Sequence, residues 1–146
     1  MNKIIINIDG GSRGNPGEGA IGAVFSDEQG RVVKKYSQAI GVCTNNEAEY
    51  QALILALKKA KAFFGKDKIK NMTVEVRSDS ELLVKQMRGE YKVLEPSIQS
   101  LFLTAWNLKV ELKNIDFIRV PREANKLADR LVNEALDALS KEQKLF

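Results

Sequence analysis

The stretch Lys3-Ile4-Ile5-Ile6-Asn7-Ile8-Asp9 decides the fold. Its β-branched residues run almost without a polar break, the pattern of a strand buried on both faces rather than one. Such a strand needs cover above and below, which points to an α/β sheet and away from a helical bundle. Working outward, Gly10-Gly-Ser-Arg-Gly-Asn-Pro-Gly-Glu-Gly19 reads as a loop. Residues 20–27 and 31–40 read as two strands about a turn at Asp27-Glu28-Gln29-Gly30. The pattern then predicts a helix from Asn46 to Phe64, a strand from Met72 to Arg77 and a short helix after Ser78. A longer helix follows Pro96, with Ile98, Leu101, Phe102, Ala105, Leu108 and Leu112 on one stripe. Residues 115–120 alternate as a strand ending at Pro121, and a last helix covers Ala124 to Leu139. The order βββαβααβα implies an antiparallel meander of three strands followed by parallel ones. The expected fold class is therefore α/β: a five-stranded mixed sheet with helices on both faces.

Composition bounds what this sheet can carry. A chain of 146 residues is the size of one domain, expected here over residues 1–140 with a frayed tail at 141–146. Hydrophobic residues at 44% and charged residues at 29% exclude a disordered chain. The single cysteine, Cys43, can form no internal disulfide, which suits a reducing compartment. No apolar run approaches the roughly 18 residues of a membrane span, and the N-terminus reads as a strand rather than a signal peptide. A cytoplasmic monomer with no membrane and no obligate protein partner is expected. The 23 basic and 19 acidic residues leave a net charge of +4, which permits a polyanionic partner without demanding one. The absence of histidine is more restrictive. It removes Ser-His-Asp and Cys-His nucleophiles and every imidazole metal site, leaving hard cations on oxygen ligands as the only metal chemistry.

Four carboxylates stand where burial is expected. Asp9 ends the apolar strand, where aspartate also commonly opens a turn. In the helix from Asn46, Glu49 shares a face with Ala52, Leu53, Ala56 and Ala60, so it points toward the sheet, whereas Glu47 shares its face with Gln51 and Lys58 and points to water. The alternative for Glu49 is a half-solvated carboxylate favoured by the helix dipole. Asp79 follows a strand, although Ser78-Asp79-Ser80-Glu81 also fits a capping box with Ser78 as cap. Asp129 flanks the apolar stripe of the last helix, where an ordinary surface aspartate is the other reading. Asp9 and Asp79 both stand at carboxyl ends of strands, the edge where α/β sheets build sites. Four clustered carboxylates repel unless cations lie among them, and two divalent ions would balance their charge, as a two-metal phosphodiester-cleaving centre requires.

Four segments in sequence order resemble type 1 ribonuclease H, in its histidine-free bacterial and archaeal-like branch. They are Ile8-Asp9-Gly10-Gly11-Ser12-Arg13-Gly14-Asn15-Pro16-Gly17, Thr44-Asn45-Asn46-Glu47-Ala48-Glu49-Tyr50, Ser78-Asp79-Ser80 and Val120-Pro121-Arg122-Glu123-Ala124-Asn125-Lys126-Leu127-Ala128-Asp129. The resemblance implies the ribonuclease H-like sheet. It also implies two Mg²⁺ ions, replaceable by Mn²⁺, on Asp9, Glu49, Asp79 and Asp129, and hydrolysis of the RNA strand of an RNA/DNA hybrid to a 3′-hydroxyl and a 5′-phosphate. It further implies that Thr44 grips a DNA-strand phosphate, that Asn15, Asn45 and Asn46 touch the minor groove, and that Gly10, Gly11 and Ser12 approach RNA 2′-hydroxyls where side chains are missing. Many members carry a histidine before the last helix. Here Arg122 occupies that loop, able to contact the scissile phosphate or leaving group but not to act as a base, and a plain surface arginine is the alternative. The basic, Trp-containing helix inserted in some members has no counterpart between Lys85 and Pro96.

Three rival readings are weighed. Gly17-Glu18-Gly19-Ala20-Ile21-Gly22 spells a dinucleotide fingerprint, but it leads into a strand where that motif needs a helix. A non-catalytic hybrid-binding module would need the asparagines and not the carboxylates. A ribonuclease H-fold nuclease acting on another duplex would share every segment above.

Overall fold

The computed structural model describes residues 1–144. The first strand, β1 (Lys3–Gly14), lies at the centre of a five-stranded sheet. It pairs antiparallel with β2 (Gly17–Ser26), which pairs antiparallel with β3 (Val32–Cys43). On its other side β1 pairs parallel with β4 (Thr73–Ser78), which pairs parallel with β5 (Asn114–Arg119). The sheet order is β3-β2-β1-β4-β5. Between and after these strands lie α1 (Asn45–Phe64), α2 (Lys66–Lys70), α3 (Glu81–Met87), α4 (Pro96–Val110), a 3₁₀ turn (Arg122–Asn125) and α5 (Lys126–Lys144).

The continuous apolar run of β1 is used on both sides. Ile4, Ile6 and Ile8 are fully buried in the main core with Leu53, Ala56 and Leu57 of α1 and Ile98 and Ala105 of α4. In β2 the alternation is explicit. Ile21, Ala23 and Phe25 join that core, while Ala20 and Val24 pack on the opposite face against Leu131, Val132 and Leu136 of α5. The α5 positions Ala128, Leu131, Val132 and Leu136 form one stripe at helical spacing. Helices therefore cover both faces. Among the described residues none is long and apolar enough to cross a membrane.

Three local expectations are corrected. The glycine-rich segment expected as a loop over residues 10–19 is mostly paired: β1 and β2 form one ladder from Ile5↔Ser26 down to Gly14↔Gly17, turning at Asn15-Pro16. Glycine content signals a loop locally, yet ladder hydrogen bonds use only backbone groups, so a long register can carry glycines through it. The cap of α3 is Ser80, whose hydroxyl accepts from Leu83 N at 3.2 Å, not Ser78; Ser78 is fully buried and its hydroxyl accepts from Ser80 N. The tail expected to fray at 141–146 is helical through Lys144, and Leu145 and Phe146 lie outside the described residues. The five-residue α2 was not expected, being too short to show a period.

Candidate active site

The parallel register fixes the first pair of carboxylates. β1 and β4 pair Lys3 with Thr73 through Asn7 with Arg77, a constant offset of 70 residues. Continued two residues past the ladder, that offset sets Asp79 beside Asp9. With Ser80 rather than Ser78 capping α3, the Asp79 side chain is not drawn into a capping box.

Helix approach brings in the other two. Thr44 caps α1: its hydroxyl accepts from Glu47 N and the Glu47 carboxylate accepts from Thr44 N, a full capping box that occupies Glu47. The helix then crosses β1 at Gly10, where a Cβ would sit 2.3 Å from the Ala48 carbonyl oxygen. Glycine is required there by packing, and the close crossing delivers Glu49 over Asp9. On the opposite face Gly22, the cross-strand partner of Asp9, plays the same part for α5: a Cβ would sit 2.5 Å from the Ala128 carbonyl oxygen. That crossing brings Asp129 alongside Asp9.

Carboxylate oxygens of Asp9, Glu49 and Asp79 all lie within 4.8 Å of one another. Asp129 stands next to Asp9 outside this tight triad and shares its cleft. Burial, then the charges of Asp79 and Asp129, push the Asp9 carboxyl up to about 7. Burial, then Asp9 and Asp79, hold Glu49 well above the usual carboxylate range. Asp79 is raised by burial, with Arg122 and Arg119 opposing. Glu49 Oε2 is buried and has no hydrogen-bond partner. An orphaned anionic oxygen among repelling carboxylates is costly, and a cation removes that cost. The donors are all carboxylate oxygen, with no imidazole or thiolate, so the residues fit a hard divalent cation.

The site opens into a cleft of about 550 Å³. Gly10, Gly11, Ser12, Asn45 and Arg122 line it with the four carboxylates. Asn15 lies just behind, its side-chain oxygen accepting from Asn45 N at 3.0 Å, while Asn45 Oδ1 accepts from Ser12 N at 3.0 Å. These bonds lock the β1–β2 hairpin to the start of α1. Asn46 is exposed and lines an adjoining crevice with Ser80 and Leu82, which shares Glu49 with the cleft. Arg13, Arg119 and Asn133 also line the cleft, and sequence reasoning missed all three. Arg119 is the last residue of β5, paired with Ser78 and hence adjacent to Asp79. Only the cross-strand register reveals this. Arg13 forms an ion pair with Asp137 of α5 at 2.6 Å.

Residues 7–135 match a family model described as reverse transcriptase-like. In structure, the chain resembles LC11-RNase H1, isolated from compost by a metagenomic approach, with a TM-score of 0.90 and 52% identity over 95% of this chain and 99% of that one. The chain belongs to the type 1 ribonuclease H family. A structure of LC11-RNase H1 in complex with an RNA/DNA hybrid superposes with a TM-score of 0.89 at 49% identity, covering 93% of this chain and 98% of that one. Ribonuclease HI of Halobacterium salinarum is 43% identical over 129 residues, 88% of this chain and 62% of that protein. A bifunctional protein of Mycobacterium tuberculosis is 42% identical over 137 residues, 93% of this chain. The chain spans only 36% of that mycobacterial protein's length.

Proposed function

We propose that this protein hydrolyses the RNA strand of RNA/DNA hybrids, leaving a 3′-hydroxyl and a 5′-phosphate. The observation that carries the reading is the partnerless Glu49 Oε2 facing two other carboxylates in a cleft rimmed by arginines. Asp9, Glu49, Asp79 and Asp129 would hold two Mg²⁺ ions, with Mn²⁺ a substitute. Bound there, such ions supply an activated water for in-line attack and stabilise the departing 3′-oxygen.

The protein's own groups do the positioning. Arg122 and Arg119, free of carboxylate partners within ion-pair distance among the described residues, offer planar forks to phosphate oxygens. Arg13 can exchange Asp137 for a phosphate, since exposed ion pairs contribute little. Asn45, held in place by Ser12 and Asn15, lines the cleft and would offer its amide to the minor groove of a bound hybrid. Thr44 keeps its hydroxyl proton free to donate to a DNA-strand phosphate while its oxygen caps α1. A Cβ at Gly11 would be in ordinary contact with Asn45 Oδ1 and Val132 Cγ1 at 3.9 Å, and its absence leaves room for a 2′-hydroxyl.

The test is end-labelled RNA/DNA hybrid, double-stranded RNA, double-stranded DNA and single-stranded RNA, each with Mg²⁺ or EDTA. Metal-dependent cleavage of the hybrid alone, giving 5′-phosphate ends, is expected. A 2′,3′-cyclic phosphate product, or cutting in EDTA, overturns the scheme. Metal-independent hybrid binding with no cleavage would instead mark a binding module.

A further inference from the structure

Asn125 is a side chain that the proposed chemistry does not use and the sequence did not single out. It is 1% exposed, and both halves of its amide are satisfied. Its Nδ2 donates to the Ile8 carbonyl oxygen at 2.8 Å, and its Oδ1 accepts from Asn7 Nδ2 at 3.0 Å. Both partners belong to the central strand, and Ile8 immediately precedes Asp9. In sequence Asn125 closes the 3₁₀ turn that carries Arg122 and stands one helical turn before Asp129.

We propose that Asn125 is a positioning residue, which clamps the Arg122 turn and the start of α5 to β1 so that Asp129 is held in register with Asp9. The reasons are geometric. Asp129 belongs to a helix attached to the sheet by an apolar stripe and, C-terminal to Asp129, by Ser37 Oγ of β3 donating to the Leu131 carbonyl at 2.6 Å and by the exposed Arg13–Asp137 ion pair; apolar contacts resist separation far more than sliding. Directional hydrogen bonds fix the slide. These two bonds tie the segment 122–129 to β1 on the N-terminal side of Asp129. Asparagine fits because it is at once donor and acceptor: alanine offers neither, and aspartate when ionised cannot donate to Ile8. Groups that orient metal ligands in this way characteristically change metal affinity or activity by about 10–100-fold when removed.

This inference rests on the metal-binding reading above, and its test separates the two. Mn²⁺ binding to the substrate-free protein is measured by calorimetry for wild type, Asn125→Ala and Asn7→Ala, alongside kcat, KM for hybrid and Tm. Asn125→Ala is expected to weaken Mn²⁺ binding and lower kcat by about tenfold, with KM within twofold. Asn7→Ala, which leaves the Ile8 bond intact, is expected to show the same pattern at smaller size. A folded Asn125→Ala protein with only a lower Tm, and with wild-type Mn²⁺ affinity and kcat, overturns the proposal. If Asn125→Ala does not fold, Asn7→Ala decides by the same criterion. If wild type binds Mn²⁺ yet leaves hybrid uncut, the nuclease reading fails and the calorimetry still decides the role of Asn125.

Discussion

Gly22 lies directly across the β1–β2 ladder from Asp9, and the space where its side chain would be is filled by the backbone of α5 at Ala128. One missing methyl group thus sets the distance between a strand carboxylate and a helix carboxylate. Gly22→Ala must push α5 outward, because the obstructing atom is a carbonyl oxygen and not a flexible side chain. Overpacking of this kind costs about 1–3 kcal/mol. We expect kcat to fall more steeply than the stability loss alone accounts for, measured at saturating Mg²⁺ on protein that urea titration shows to be folded. Unchanged kcat in a folded Gly22→Ala protein would mean that Asp129 is not needed at its observed distance.

Glu49→Gln separates stability from activity. The raised carboxyl of Glu49 means that its ionised form is disfavoured by burial and by Asp9 and Asp79. A neutral amide of the same shape should raise the Tm of the metal-free protein at neutral pH while hybrid cleavage is lost. Calorimetric melts with and without EDTA, paired with cleavage assays, read both effects. Full activity in this variant would show that Glu49 is not a metal ligand.

The metal-free protein should lose stability as pH rises from 5 to 8. Asp9 has its folded value raised from 3.8 to about 7, so over that window the native state binds the proton more tightly than the unfolded chain. Each fully retained proton contributes at most about 1.4 kcal/mol per pH unit, and Glu49 and Asp79, also raised, act in the same direction as Asp9. Asp27, Glu75, Glu81 and Glu111, whose values are lowered, act in the opposite sense but only as pH falls into the ordinary carboxylate range, below this window. Saturating Mg²⁺ should flatten the profile, since it replaces the proton as counter-charge. Urea titrations at several pH values check this, and a metal-free profile rising from pH 5 to 8 would contradict it.

Arg119→Ala should weaken hybrid binding at all sequences and reduce the salt dependence of binding by about one phosphate contact. Arg122→Ala should in addition lower kcat, because Arg122 is the stronger of the two guanidinium influences on Asp79. Fluorescence anisotropy on an Asp9→Asn background isolates binding from turnover. A salt slope unchanged by Arg119→Ala would remove Arg119 from the substrate interface.

Much of this was legible in the chain. The uninterrupted Ile4-Ile5-Ile6 run marks a strand covered on both faces, and helical spacing alone distinguishes Glu49 from Glu47. The paired hairpin over residues 10–19 was not legible, because glycine density speaks of local freedom while a ladder depends on the partner strand. The cap at Ser80 in place of Ser78 was not legible for a similar reason: Ser78 with Glu81 spells the capping box while Ser80, with Leu83 three residues on, does not, and only the tertiary structure buries Ser78 in the core.

The sequence by itself determined the order of elements, the central strand, the oxygen-only ligand chemistry and the four carboxylates worth watching. The tertiary structure alone decided that they meet. Burial periodicity is a local property, carried within a single helix or strand, and the sequence displays it directly. Convergence is pairwise and distant: it depends on the β1–β4 register, on the backbone contacts at Gly10 and Gly22, and on the amide of Asn125 reaching Ile8. None of these leaves a periodic trace, because each is a relation between residues that are neighbours only after the chain has folded.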